Sequence, residues 1–175
     1  TFNAVAYGAA NLVALFDPFA TKGFGVFQTL RGHSGEVTCL KFLPNSDYLI
    51  SASADSTIKI WKLTLNSNQL DVVLHQTLQN IDTSSSIIVL NVLNEKLFVA
   101  SDTIGNVSVV ANLGDHFQIV KHFKIENEFN LFYPLTMSLQ NLIGNEYILF
   151  IGGTNKFIYL YSFTFNDENN EISNL

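Results

Sequence analysis

Cysteine, proline and long apolar runs are all scarce in this sequence. It has 175 residues but only 1 Cys and 3 Pro, so a disulfide framework within the chain is excluded. The single thiol, Cys39, lies in a predicted strand, where a buried and inert side chain is expected. The longest apolar runs are broken well short of a membrane span, and no charged and apolar leader opens the sequence. These absences favour a reducing setting, and we expect a cytoplasmic and nuclear protein.

Charge is also sparse. Charged residues make up 14% of the sequence, and 15 acidic against 9 basic residues give a net charge of −6. Because Lys and Arg are scattered singly, no direct binding of nucleic acid is expected from this segment. His75, His116 and His122 lack the paired close spacing of zinc ligands. Gly152-Gly153 could suggest a phosphate-binding loop, but neither a helix nor a Gly-Lys-Ser/Thr sequence follows it. We therefore expect no metal and no cofactor.

What the sequence does have is β-branched and aromatic residues in short runs. Hydrophobic residues make up 47% of it, including 15 Phe and 6 Tyr, and no window shows sustained helical periodicity. Turn-forming segments at 44–47 and 54–56 separate such runs. The runs at 37–43, 48–53 and 57–61 predict three consecutive strands joined by tight turns. The predicted fold class is all-β.

Four side chains with hydrogen-bonding groups stand in the same region, and we call them the tetrad: His33, Ser51, Asp55 and Trp61. A sheet packed on both faces buries Trp61, whose indole N–H then needs an acceptor, and a buried His33 ring needs partners at both nitrogens. With Gly32 before His33, this order resembles one four-stranded blade of the WD40 β-propeller family. The resemblance implies that Asp55 accepts from the His33 ring, that His33 meets the Ser51 hydroxyl, and that Ser51 meets the Trp61 N–H.

Three members of the tetrad can also be interpreted as a Ser/His/Asp hydrolase triad. A triad further requires an exposed nucleophile, an oxyanion hole and a substrate cleft, and the sequence contains no Gly-x-Ser-x-Gly elbow. The structural interpretation is therefore favoured. We predict no catalytic residue and do not expect an enzyme.

The strand pattern repeats along the chain. The last residues of four candidate third strands stand 45, 49 and 51 residues apart: Phe16, Trp61, Val110 and Tyr161. These intervals fit propeller blades of about 40–45 residues with longer loops. They predict an incomplete blade at 1–30 that lacks its first strand (blade one), a complete blade at 31–79 (blade two) and a degenerate blade at 80–124 (blade three). Residues 125–175 are predicted to form another degenerate blade (blade four) and an acidic loop at 166–171.

Four blades do not close a propeller. Since the chain starts without Met and lacks one inner strand, it is predicted to be a partial propeller, about four blades of a seven-bladed first propeller, with two open apolar edges. Five aromatic residues alternate along the last strand as one face that is expected to be exposed: Phe157, Tyr159, Tyr161, Phe163 and Phe165. Expressed alone, the fragment is therefore expected to aggregate.

Six short segments carry a second, narrower resemblance, and they lie at residues 15–18, 36–44, 51–53, 59–62, 132–135 and 151–155. The last two, FYPL and IGGTN, discriminate best because the degenerate blades have lost the generic signature. Together the segments resemble the family of WD40 subunits of the Elongator complex, in its fungal form.

This resemblance implies a non-catalytic scaffold. Such a subunit holds together the large Elongator scaffold subunit and the catalytic radical-SAM/acetyltransferase-like subunit, in a complex that modifies wobble uridines of tRNA. The family has no catalytic residue to place in this segment. The alternative is a generic WD40 adaptor in another intracellular multiprotein complex, and recovery of the intact complex would separate the two.

Overall fold

A computed structural model of the protein describes residues 4–19, 25–66, 69–79, 82, 84–125, 132–166 and 168–173. These residues form fifteen strands and no helix, so the predicted all-β class is confirmed. The strands build four antiparallel sheets in chain order, one of three strands and three of four. Within the described part of the chain, no helix is long and apolar enough to cross a membrane.

Each sheet corresponds to one of the predicted blades. Blade one holds β1 (Val5–Ala9), β2 (Leu12–Phe16) and β3 (Val26–Arg31). Blade two holds β4 (Val37–Phe42), β5 (Tyr48–Ser53), β6 (Thr57–Asn66) and β7 (Gln69–Gln79). Blade three holds β8 (Ile87–Val92), β9 (Leu97–Asp102), β10 (Asn106–Asn112) and β11 (Phe117–Lys124). Blade four holds β12 (Pro134–Asn141), β13 (Glu146–Gly153), β14 (Ile158–Asn166) and β15 (Glu171–Ser173). The residue boundaries of the blades stay predictions.

β6 is longer than the run at 57–61 that the sequence pattern indicates. β6 continues past Trp61, and Asn66 at its end is paired with Gln69 at the start of β7. The extra length has a physical reason, because Leu70 and Val72 in this extension are buried against blade one. Burial of apolar surface against a neighbouring sheet stabilises this extension as strand. The polar residues around it have the composition of a loop, so the sequence pattern does not indicate it.

The acidic stretch at 166–171 is predicted to be a loop, and this is wrong in part. β15 follows it and pairs with β14, with Asn166 opposite Glu171 and Phe165 opposite Ile172. The stretch therefore closes a hairpin and gives blade four a fourth strand. A strand of three residues with one apolar side chain has too little alternation to be detected in the sequence.

Neighbouring blades pack face to face, and three apolar clusters lie between them. The cluster between blades one and two includes Val13, Leu15, Leu49 and Trp61. The cluster between blades two and three includes Ile50, Ile58, Ile60, Phe98 and Val110. The cluster between blades three and four includes Val99, Val107, Val109, Leu149 and Ile151. Blades two and three thus each have one face that covers the preceding blade and one face that the following blade covers.

The aromatic face of blade four belongs to the first kind. Phe163 and Phe165 are each only 2% exposed, and together with Tyr159 and Tyr161 they pack against blade three. Only Phe157, which precedes β14, is largely exposed, at 65%. The expectation that this face is open is therefore wrong, because it is the face that covers the preceding blade, as Trp61 does in blade two.

Candidate functional site

Two strands, the turn between them and one connection position the tetrad. His33 lies in the connection before β4, Ser51 lies in β5, Asp55 lies in the β5–β6 turn and Trp61 lies in β6. Leu49 pairs with Trp61 and Ser51 pairs with Lys59, so Ser51 and Trp61 are diagonal neighbours on one face of the sheet. The structure brings all four predicted residues together.

The distances describe one continuous chain of hydrogen bonds. His33 Nδ1 is 3.0 Å from Asp55 Oδ2, His33 Nε2 is 2.8 Å from Ser51 Oγ, and Trp61 Nε1 donates to Ser51 Oγ over 2.8 Å. Since a carboxylate only accepts, the ring proton belongs on Nδ1, and the Ser51 hydroxyl then donates to Nε2. Each polar atom of the chain has a partner, which burial demands.

Sequence reasoning missed further partners of Asp55. The Thr57 hydroxyl donates to Asp55 Oδ1 over 2.6 Å and the Thr57 backbone N–H does so over 2.9 Å. The Ser34 backbone N–H donates to Oδ2 over 2.8 Å. An Asp two residues before a Thr is a local signal for such a turn, because a short carboxylate readily accepts from the backbone ahead of it.

The environment shifts the pKa of both ionisable tetrad members. Burial lowers the pKa of His33 below its usual 6.5, and the hydrogen bond and charge of Asp55 only partly oppose this. For Asp55, burial alone would raise the pKa, but hydrogen bonds from Thr57, Ser34 and His33 together hold it well below its usual range. A neutral imidazole beside a carboxylate is therefore the favoured state near neutral pH.

This geometry does not suit a hydrolase. Ser51 is 0% exposed, and its hydroxyl both donates to His33 and accepts from Trp61. A catalytic serine must present its oxygen to a substrate beside an oxyanion hole. The tetrad instead ties the connection before β4, the strand β5, the β5–β6 turn and β6 to one another.

Blade three fastens the same region with different residues. Asp102 pairs with Ile87 where Ser53 pairs with Val37 in blade two, and it is 1% exposed. Its carboxylate accepts from the Ser85 hydroxyl over 2.5 Å, from the Asn106 side chain over 2.7 Å and from the backbone N–H groups of Asn106 and Ile104. This second polar network was not apparent from the sequence, although an Asp that directly ends a buried strand is the signal for it.

The tetrad positions of blades three and four are apolar or altered, in line with their prediction as degenerate blades. Val110 is paired with Phe98 where Trp61 is paired with Leu49, and Val110 is fully buried. In blade four Asn155 donates to the Tyr159 hydroxyl over 2.6 Å and accepts from the Phe157 N–H. Packing fills the position of the indole in blade three, and an amide replaces the carboxylate in blade four.

The remaining histidines and the cysteine lie apart. His75 approaches the Asp115 carbonyl, His116 approaches the Asp115 carboxylate and His122 approaches Ser108. Among the described residues, no three His, Cys, Asp or Glu side chains are placed to hold a metal. Cys39 is half-buried and donates to the Ile88 carbonyl, and burial raises the pKa of its thiol.

Face-to-face four-stranded sheets with a His–Asp–Ser–Trp network in one of them define part of a WD40 β-propeller. Residues 25–62 match the family model described as "WD domain, G-beta repeat". The chain is 38% identical over 165 residues to Elongator complex protein 2 of Saccharomyces cerevisiae, a match that covers 93% of this chain and 20% of the yeast protein. It is also 38% identical over 79 residues to the ribosome biogenesis protein YTM1 of Coccidioides immitis, which covers 45% of this chain and 17% of that protein.

A solved structure shows the same fold. The crystal structure of Saccharomyces cerevisiae Sqt1 superimposes with a TM-score of 0.71 over 97% of this chain and 43% of its own, at 16% identity. At that identity the likeness concerns the fold alone. The chain spans only a fifth or less of the length of the two curated relatives named above.

Proposed function

We propose that this chain is part of the WD40 subunit of an Elongator complex and acts there as a non-catalytic scaffold. One observation carries the proposal, which is the 38% identity to the yeast Elongator protein across 93% of the chain. The family model matches only residues 25–62, so most of the 165 aligned residues lie outside the generic repeat. Similarity in blades that have lost the repeat signature points to one kind of WD40 protein rather than to the fold.

In this role the protein joins the large scaffold subunit and the catalytic radical-SAM/acetyltransferase-like subunit, and so supports modification of wobble uridines in tRNA in the cytoplasm and nucleus. The tetrad stabilises the fold, because the Ser51 hydroxyl, the His33 ring and the Trp61 indole are buried and hydrogen-bonded to one another. Loops set on a rigid propeller provide the contact surfaces.

Purification of the tagged full-length protein from its own cells tests this proposal. We expect the two Elongator partners to be recovered, and we expect deletion of the gene to remove the modified wobble uridines detected by mass spectrometry of tRNA. Recovery of a different assembly, with normal wobble uridines in the deletion strain, would contradict the proposal.

The second candidate is an adaptor of another intracellular complex. The observation in its favour is the 38% identity to YTM1, a ribosome biogenesis protein, over 79 residues. Under this alternative the tagged protein recovers preribosomal factors, and its loss changes ribosomal subunit levels while tRNA modification stays normal.

A further inference from the structure

A small cavity lies between blades two and three, close to the turn that follows β9. Its volume is about 10 Å³, which is about the space that one water molecule requires. Ile58 and Gln79 line it from blade two, and Ala100, Asn106 and Ser108 line it from blade three. The buried polar side chains of Asn106 and Ser108 distinguish this cavity from the apolar packing around it.

The cavity lies beside the position that a tetrad member has in blade two. Ala100 pairs with Ser108 as Ser51 pairs with Lys59, so Ala100 stands at the position of Ser51. It is buried in the cluster between blades two and three. An Ala at this position lacks the hydroxyl that meets the His33 ring in blade two, and a smaller side chain leaves space unless its neighbours collapse onto it.

One acceptor in the cavity wall has no donor among the described residues. Asn106 is 9% exposed, and its side-chain nitrogen donates to Asp102 Oδ2 over 2.7 Å. Because a carboxylate only accepts, this contact assigns Nδ2 to the Asp102 side and leaves Oδ1 without a hydrogen bond from any described residue. An amide oxygen that is withdrawn from bulk water and left unpaired destabilises the fold, so a donor in the cavity would stabilise it.

Two hydroxyl groups in the cavity wall can accept or donate a further hydrogen bond. Ser108 Oγ is 3.3 Å from His122 Nδ1, and the Ser101 hydroxyl donates to the Asn106 carbonyl over 3.0 Å. A hydroxyl has one donor and two acceptor sites, so one partner does not saturate it. With Asn106 Oδ1, these two oxygens supply the two to four polar partners that a buried water molecule needs.

We propose that this cavity is a binding site for one water molecule, which donates to Asn106 Oδ1 and is held by the Ser108 or Ser101 hydroxyl. In blade three this water takes the place of the hydroxyl that Ser51 supplies in blade two. It extends the Asp102 network through Asn106 into the interface between the blades. A cavity with only apolar walls would stay dry, but the wall formed by blade three is polar.

A crystal structure of the full-length protein, at a resolution that shows ordered water, tests the site directly. We expect a density peak within about 2.7–3.2 Å of Asn106 Oδ1 and within hydrogen-bonding distance of the Ser108 or Ser101 hydroxyl. The same crystals under xenon pressure give a second measurement, since xenon binds dry apolar cavities, and we expect none in this one. An empty cavity, or a cavity that takes up xenon, overturns the proposal.

Paired substitutions test the site in solution, and this test does not depend on the proposed function. Ala100→Thr and Ala100→Val introduce side chains of the same shape into the cavity, but only Thr brings a hydroxyl that can take over the hydrogen bonds of the water. We expect the melting temperature of the full-length Ala100→Val variant to lie about 2–4 °C below that of Ala100→Thr. A Val variant that is as stable as the Thr variant, or more stable, overturns the proposal.

Ala111 provides the matched control, because it is 0% exposed in the apolar cluster between blades three and four. There we expect Ala111→Val to be more stable than Ala111→Thr, since a hydroxyl buried among apolar groups is destabilising. Opposite orders of stability at Ala100 and Ala111 support the water site, and the same order at both overturns it. If neither Ala100 variant folds, the crystal structure of the unmodified protein decides.

Discussion

Blades two and three have the same strand order and register but different polar networks. In blade two a chain of hydrogen bonds runs from Asp55 through His33 and Ser51 to Trp61. In blade three the corresponding turn is held by Asp102 with Ser85 and Asn106, and Val110 takes the place of the indole. Both networks are buried, and both bind the turn between the second and third strands to the connection before the first strand.

The difference shows that the blade architecture does not depend on one set of residues. Blades two and three both keep apolar packing on their two faces, whereas the polar groups near the turn can be exchanged as long as every buried donor finds an acceptor. The turn itself keeps one requirement, because Ser56, Gly105 and Lys156 have φ of 65°, 83° and 66° at the same position of blades two, three and four. The backbone geometry is thus shared even where the side chains differ.

Removal of the Asp102 carboxylate should have the largest effect. Asp102→Ala leaves the Ser85 hydroxyl, the Asn106 amide and two backbone N–H groups without their acceptor in a site that is 1% exposed, and we expect a loss of about 3 kcal/mol in the free energy of unfolding. Denaturant unfolding of the full-length protein measures it. Asp102→Asn keeps one acceptor oxygen and should recover part of the loss. An Asp102→Ala effect smaller than that of Asp55→Ala would contradict this account of blade three.

Disruption of the tetrad should cost less. His33→Ala or Asp55→Ala leaves buried groups unpaired, at about 1–3 kcal/mol, but the Ser34 N–H that donates to Asp55 belongs to an exposed residue and can turn to water. We expect a lower melting temperature and a lower yield of assembled complex, with no loss of a hydrolytic activity. A variant with normal melting temperature that has lost hydrolysis of a substrate would revive the triad interpretation.

A smaller loss of stability should follow from removing a hydrogen-bonded contact between blade two and blade three. The Gln76 side chain accepts from the Phe117 N–H over 2.7 Å and donates to the Phe117 carbonyl over 2.7 Å, and so joins β7 to β11. Gln76→Ala should lower the free energy of unfolding by about 1–2 kcal/mol, the sum of two ordinary hydrogen bonds. Gln118→Ala is the matched control, because Gln118 is exposed on β11, and its stability should be unchanged. If both variants unfold alike, Gln76 does not join the blades.

The smallest effect concerns pH. Because burial lowers the pKa of His33 below 6.5, the unfolded chain binds this proton more readily than the folded chain. The stability from a neutral His33 is therefore complete above about pH 6.5 and is lost as the pH falls below it. Burial lowers the pKa of His122 in blade three as well, so His33→Gln is compared with His122→Gln. The lowered pKa of Asp55 acts in the same direction, but only in stronger acid.

Denaturant unfolding between about pH 7 and pH 5 measures this slope, since only histidines ordinarily titrate there. We expect His33→Gln to flatten the decline in stability relative to the unmodified protein. An unchanged slope in His33→Gln, with a flattened slope in His122→Gln alone, would assign the acid sensitivity to blade three instead.

The sequence by itself determined the strands with strong alternation and the meeting of the tetrad. β5 begins and ends where the run of β-branched and aromatic residues at 48–53 predicts, because a buried strand bounded by turn residues selects such residues locally. The tetrad could be predicted because its members stand at fixed intervals within one blade, so short-range register is enough to bring them together.

Tertiary structure alone decided which faces are covered and which polar groups replace the tetrad. Alternation shows that β14 has two apolar faces, but only the packed neighbour reveals that Phe163 is covered and Leu160 is not. β15 could not be predicted because three residues are too few to show a period, and it is defined by its pairing with β14. The Asp102 network could not be predicted because Ser85 lies 17 residues away along the chain. Burial is a property of the assembled sheets, and a sequence pattern specifies a face without specifying what lies against it.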